Sequence, residues 1–114
     1  MYDKRICEIL KDLGVPVHLK GYAYLRESVG IALEHPEYMD SLVKRVYSIV
    51  AQRLNSTPSR VERAIRHAIE YTFSNTAVGV LYHYFGHTTR LKDGKVTNKC
   101  FIATIADYIK MEVK

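Results

Sequence analysis

The sequence predicts an all-α fold, a compact bundle of about six helices that contains a helix-turn-helix. Apolar residues recur at helical spacing through most of the chain, and helix start and stop residues separate these stretches. Alternation of polar and apolar residues is too brief anywhere to support a sheet. With 114 residues, 47% of them hydrophobic, we expect a single domain over residues 1–114 with its own core.

Two apolar stripes predict the first two helices. The first stripe fills positions 6, 9, 10 and 13 and ends at Gly14, which Pro16 soon follows, so we predict a helix over about residues 3–13. The second fills positions 25, 29, 32 and 33 and ends at His35-Pro36. Because the residue before proline avoids the helical region, this helix is predicted over about residues 21–34.

Residues 37–54 keep the helical period and form one long helix or two short ones. The last part, Tyr47–Leu54, is joined to the next patterned stretch by a turn so short that the two helices form a helix-turn-helix, at about residues 47–73. In it, Ala51 allows a close crossing, Asn55 tolerates a left-handed conformation, and Val61 supplies a buried contact.

The second helix of this unit, predicted over residues 58–73 and called the recognition helix below, has two chemically distinct faces. Thr57 caps it with Pro58 at its first position, or a Ser59/Glu62 capping box is the competing start. The planar donor pair of arginine matches both phosphate oxygens and the guanine edge, so the predicted target is a DNA major groove. The inner face carries Val61, Ala64, Ile65, Ala68 and Ile69, and the outer face carries Arg60, Arg63, Arg66 and His67.

The rest of the chain predicts two more helices separated by a loop. Ala77–Phe85 is apolar and aromatic and is closed by Gly86 as a short fifth helix. Residues 86–96 hold glycines and charged residues without an apolar period, which predicts a loop. Thr97 or Asn98 then caps a last helix, whose apolar stripe fills positions 101, 102, 105, 106 and 109.

Three stretches together identify a family resemblance. They are Ser59–Glu70, the run Leu13-Gly14-Val15-Pro16-Val17-His18-Leu19-Lys20-Gly21-Tyr22, and Tyr24-Leu25-Arg26-Glu27. This chain resembles, over nearly its whole length, the C-terminal DNA-binding (effector) domain of the stage-zero sporulation response regulator of spore-forming Firmicutes, the sporulation initiation transcription factor A family. The resemblance implies sequence-specific binding of double-stranded DNA boxes with the core TGTCGAA, transcription regulation, and dimers on tandem boxes.

The resemblance also implies roles for individual residues. Arg60, Glu62 and Arg63 approach base edges, and Ser59 is a further DNA-binding residue beside them. A lysine followed by Thr-Asn makes a second contact, to the DNA backbone. The competing interpretation is a solvated charged face in which Glu62 pairs with Arg66. Glu62 favours base reading, because a carboxylate accepts from cytosine but repels phosphate. Phosphates or flanking bases are assigned to Arg66 and His67, and the second contact to Lys95, Thr97 and Asn98.

Charge and sequence motifs favour a DNA-binding protein and argue against membrane proteins, secreted proteins and enzymes. Residues 44–70 hold six Lys/Arg against two Asp/Glu, out of a net charge of +5 for the chain, as expected for binding a polyanion. No stretch approaches a membrane span and the start is no signal peptide, so we expect a cytoplasmic, nucleoid-associated protein. Catalytic and cofactor motifs are absent, and we expect neither an enzyme nor a cofactor. Cys7 and Cys100 are expected to be reduced and packed, and a metal site at His83 and His87 is disfavoured.

Two departures from the family leave alternatives open. The family protein carries an N-terminal receiver domain that this chain lacks, so the chain is either an excised effector domain or a free-standing relative. Residues 71–84 lie where the family contacts RNA polymerase sigma subunits, yet Tyr71-Thr72-Phe73-Ser74-Asn75-Thr76 differs from the family's run. One alternative is therefore an interaction module that pairs with a full-length regulator and blocks it. Another is nonspecific binding of nucleic acid.

Overall fold

Helices make up the fold in the computed structural model, which describes residues 2–86 and 96–113. Within those ranges the chain forms six α-helices and no strand. The α-helices are α1 (Asp3–Asp12), α2 (Lys20–Glu34), α3 (Ser48–Arg53), α4 (Pro58–Asn75), α5 (Val78–Phe85) and α6 (Asn98–Glu112). The predicted all-α class is confirmed, the bounds of α1 and α2 lie within one residue of the predicted ones, and α6 begins where the sequence places its cap.

Residues 37–54, for which the sequence leaves one helix or two open, contain three types of helix in the structure. Pro36–Ser41 forms a 3₁₀ helix, Leu42–Tyr47 a π-helix, and the chain then continues into α3. The break lies at Ser41, whose φ of −135° and ψ of 66° are not helical. The chain stays helical at Ser48, with φ −63° and ψ −42°, and the Ser48 hydroxyl donates to the Val43 carbonyl at 3.2 Å.

Helix α2 occupies the centre of the bundle and packs against α1, α4 and α6. Gly21 in its first turn is the point of closest approach to α4, since a Cβ there would lie 2.4 Å from the Ala64 carbonyl oxygen. The remaining core joins α4, α5 and α6 through three phenylalanines. Phe85 has ring centroids 5.4 Å from Phe73 and 5.1 Å from Phe101.

Two helix ends terminate in the same way. Gly14 after α1 and Asn55 after α3 both have positive φ, 76° and 54°. After each one, the next amide donates back to a carbonyl of the last turn, Val15 N to Leu10 O at 3.0 Å and Ser56 N to Ala51 O at 2.8 Å, which is the Schellman arrangement. The left-handed conformation expected at Asn55 is confirmed. Gly86 after α5 keeps helical dihedrals instead, with φ −58°.

The predicted loop over residues 86–96 falls mostly outside the described residues. Lys95, with its predicted contact to the DNA backbone, and His87, at which a metal site is disfavoured, belong to that part of the chain. The expectations for these two residues therefore remain predictions.

Candidate nucleic-acid interface

The recognition helix, α4, has the two faces that its sequence predicts. Val61, Ile65 and Ala68 are fully buried and Ile69 nearly so, while Ala64 is partly buried. Arg60, Arg63, Arg66 and His67 are exposed on the other side. Because the buried side chains fix the rear of the helix, the outer row of cations is presented on a rigid support.

The start of α4 settles which cap forms. The Thr57 hydroxyl accepts a hydrogen bond from the Arg60 amide at 3.2 Å, and Pro58 occupies the first turn. The competing Ser59/Glu62 capping box is not formed, because Ser59 already lies inside the helix. Ser59 is exposed beside Arg60, so it lies at the same end of the outer face as the first arginine.

The arginines of the outer face differ in their intramolecular partners. The guanidinium of Arg66 donates to the Glu62 carboxylate at 3.1 Å, the ion pair of the solvated-face interpretation. Such exposed pairs contribute about 0.3–0.5 kcal/mol, so DNA competes with this pair easily. Within residues 2–86 and 96–113, Arg60 and Arg63 have no carboxylate within salt-bridge distance. These two cations are therefore available to an external partner.

The start of α6 touches the recognition helix from the side. Thr97 caps α6 by accepting from the Cys100 amide at 3.1 Å, which decides between the two caps predicted there. The side-chain amide of Asn98 donates to the Tyr47 hydroxyl at 3.0 Å and to the Glu62 carbonyl at 3.1 Å. Burial raises the pKa of Tyr47 to about 12, and the bond from Asn98 partly opposes this rise.

These contacts give Asn98 a positioning function that its sequence context does not reveal. Both donors of its amide are used inside the protein, so this group holds the π-helix and the recognition helix together. Tyr47 lies 51 residues away in sequence, and no local pattern identifies such a pair. Thr97 remains exposed, and its hydroxyl serves as the helix cap.

A groove of about 610 Å³ runs along one side of the recognition helix. We call it the basic groove, because its described lining includes one lysine, two arginines and a histidine, and no carboxylate. The lysine begins α2, and sequence patterns predict no function for it. The lining residues are Lys20, Ala23 and Tyr24 from α2, Leu54, Asn55 and Ser56 from the turn, and Arg60, Arg63, Ala64 and His67 from α4.

His83 and the two cysteines, singled out in the sequence, lie outside the DNA-binding set, and His83 packs in a group of aromatic side chains. His83 Nε2 and the Tyr108 hydroxyl share a hydrogen bond of 2.9 Å, and the Tyr84 hydroxyl donates to Asp12 at 2.8 Å. Cys7 and Cys100 are free thiols, both partly buried.

Across residues 2–86 and 96–113, no group of three or more His, Cys, Asp or Glu side chains is placed to hold a metal ion. None of the helices described is both long and apolar enough to span a bilayer.

Exposed arginines on the second helix of a helix-turn-helix, with a buried rear face, define a double-stranded DNA-binding domain. The sequence model of one family, described as sporulation initiation factor Spo0A C terminal, matches residues 6–109. The chain belongs to this family of DNA-binding domains of sporulation transcription factors, which is not a family of enzymes.

Proposed function

We propose that this domain reads a TGTCGAA-like box in duplex DNA through α4 and thereby regulates transcription. The observation that supports this most directly is the unpaired state of Arg60 and Arg63 among the described residues, on the outer face of a helix whose inner face is buried. A guanidinium without an internal partner keeps its full donor set for the O6 and N7 atoms of guanine.

The roles within the interface follow from charge and position. Arg60, Glu62 and Arg63 contact base edges, and Arg66 and His67 contact phosphates or flanking bases. Ser59 joins them at the start of the helix, while Lys95 and Thr97 contact the DNA backbone from the α6 side. Glu62 exchanges its Arg66 partner for a cytosine amine, because the ion pair that holds it is exposed and weak.

Fluorescence anisotropy with a TGTCGAA duplex and a scrambled duplex at physiological salt tests the proposal. We expect clearly tighter binding to the box. Equal affinity for both duplexes, with a steep decrease as salt rises, would instead indicate nonspecific binding.

The variant Arg63→Ala tests base reading by one residue. Loss of one bidentate contact to guanine costs about 1–3 kcal/mol, so affinity for the box should fall about 5- to 150-fold while binding to scrambled DNA changes little. Arg26→Ala is the matched control, since Arg26 lines a separate polar cleft with Asp3, Glu27 and Glu34. If Arg63→Ala lowered both affinities by the same factor, Arg63 would be a phosphate contact and base reading by it would be wrong.

Two copies side by side on tandem boxes are the expected regulatory complex. A duplex with two boxes should bind two chains, with the second bound more tightly than on two isolated boxes. Analytical ultracentrifugation of the complexes gives this stoichiometry directly. Binding of one chain to the two-box duplex at saturation would contradict the dimer.

Exposed apolar side chains on α4 and α5 favour a protein partner in addition. Tyr71 on α4 is 43% exposed, and Val78 and Tyr82, four residues apart on one face of α5, are 73% and 60% exposed. We propose that these side chains contact an RNA polymerase sigma subunit, or a full-length regulator if the chain is an antagonist. A pull-down with each partner in the presence of nuclease separates these functions, because only the antagonist forms a DNA-independent complex with the regulator.

A further inference from the structure

The basic groove places a lysine from a different helix next to the cations of the recognition helix. Lys20 lies in the first turn of α2, and Arg60, Arg63 and His67 lie on α4. None of the described residues that line the groove carries a carboxylate. Like charges from two elements repel one another across a shared groove, so an anion between them is stabilising.

We propose that Lys20 contacts a DNA phosphate, and that the basic groove holds one sugar-phosphate strand while Arg63 reaches the bases. This inference rests on the proposed function and extends it to a residue outside the helix-turn-helix. A phosphodiester strand fits the chemistry, because it carries one charge per nucleotide and follows a groove rather than filling a closed cavity.

The packing of α2 fixes where this lysine lies. Gly21, the next residue, approaches the Ala64 carbonyl and the Ala68 methyl so closely that a Cβ at residue 21 would be 2.4 and 2.7 Å from them. The first turn of α2 is therefore held directly against α4. The backbone of Lys20 is consequently held close to α4, so its ammonium group can reach a strand that lies in the groove beside Arg63.

The local electrostatics of Lys20 agree with an anionic partner. The first turn of α2 contains no acidic residue, and Leu19 at the N-cap provides no side-chain cap. A cation is unfavourable at the positive end of a helix. Within the described ranges no ion pair of Lys20 offsets this, whereas a phosphate in the groove would.

Binding of the Lys20→Ala variant at several salt concentrations tests the proposal. We expect affinity for the box and the scrambled duplex to fall by the same factor, with their ratio unchanged. The slope of log Kobs against log salt should become shallower by about 1, the change expected for one lost phosphate contact. Lys20→Arg, which keeps the charge, should restore the slope.

Lys11→Ala is the matched control, since Lys11 is an exposed lysine in the last turn of α1 that does not line the groove. A Lys20→Ala slope equal to those of the wild type and Lys11→Ala would overturn the proposal. Loss of affinity for the box alone would also overturn it, because Lys20 would then read bases. If the wild type does not distinguish the two duplexes, box reading is wrong, and the salt slope on either duplex still decides the role of Lys20.

Discussion

Replacement of Gly21 by alanine should separate α2 from the recognition helix. The new methyl would lie 2.4 Å from the Ala64 carbonyl oxygen and 2.7 Å from the Ala68 Cβ. Since carbon atoms pack best at about 3.5–4.0 Å, the two helices must move apart by about 1 Å. The neighbouring atoms are backbone and a methyl group, so no flexible side chain can absorb the displacement.

The cost of this change follows from two opposing terms. Overpacking a close contact costs about 1–3 kcal/mol, and more where backbone must shift. Alanine gains about 0.5–1 kcal/mol over glycine through helix propensity. We therefore expect the free energy of unfolding to fall by roughly 1–2 kcal/mol, as measured by urea unfolding followed by circular dichroism.

Gly30→Ala provides a control in the same helix. A Cβ at Gly30 meets no atom within 4 Å, so only the propensity gain remains and the variant should be about 0.5–1 kcal/mol more stable than the wild type. The two substitutions are chemically identical and should have opposite signs. An equal stabilisation by both would refute the close approach of α2 to α4.

Three further substitutions test buried polar groups. Thr72→Val should raise the free energy of unfolding by about 1 kcal/mol, because the buried Thr72 hydroxyl has no hydrogen-bond partner among the described residues. Asn98→Ala should lower the free energy of unfolding by about 1–3 kcal/mol, because it leaves the Tyr47 hydroxyl unpaired. The same substitution should cost less in a chain that already carries Tyr47→Phe. Tyr47 should also make the protein alkali-sensitive. The pKa of Tyr47 is 10.0 in the unfolded chain and about 12 in the folded one. The stabilisation from the neutral hydroxyl is therefore complete below pH 10 and is lost by about 1.4 kcal/mol per pH unit between pH 10 and about 12. Urea unfolding of Tyr47→Phe over this pH range should lack this loss.

The parts of the fold that the sequence predicts depend on local signals. The Schellman turn at Asn55 and the Thr57 cap involve residues within five positions of one another. Helical periodicity likewise locates the buried face of α6, where all five predicted residues are buried. Such signals act before tertiary contacts form, which is why the helix ends and the two faces of α4 are predicted correctly.

The parts that could not be predicted depend on contacts distant in sequence. The π-helix at Leu42–Tyr47 brings the Tyr47 hydroxyl under the start of α6, where Asn98 binds it. Lys20 reaches the basic groove only because Gly21 lets α2 approach α4. In each case one residue's position is decided by packing between elements, and no periodicity or capping rule encodes that packing.

Substitution of the charged residues on the outer face of α4 should leave the fold intact. The recognition helix is anchored by Val61, Ile65 and Ala68, which are fully buried, whereas the ion pair on its outer face contributes only about 0.3–0.5 kcal/mol. Substitutions of Arg60 or Arg63 remove no internal ion pair among the described residues, so their effect on unfolding should be small beside their effect on DNA affinity. The stability of the domain and the base reading proposed for it therefore depend on opposite faces of one helix, so a loss of binding in an outer-face variant would report on a DNA contact.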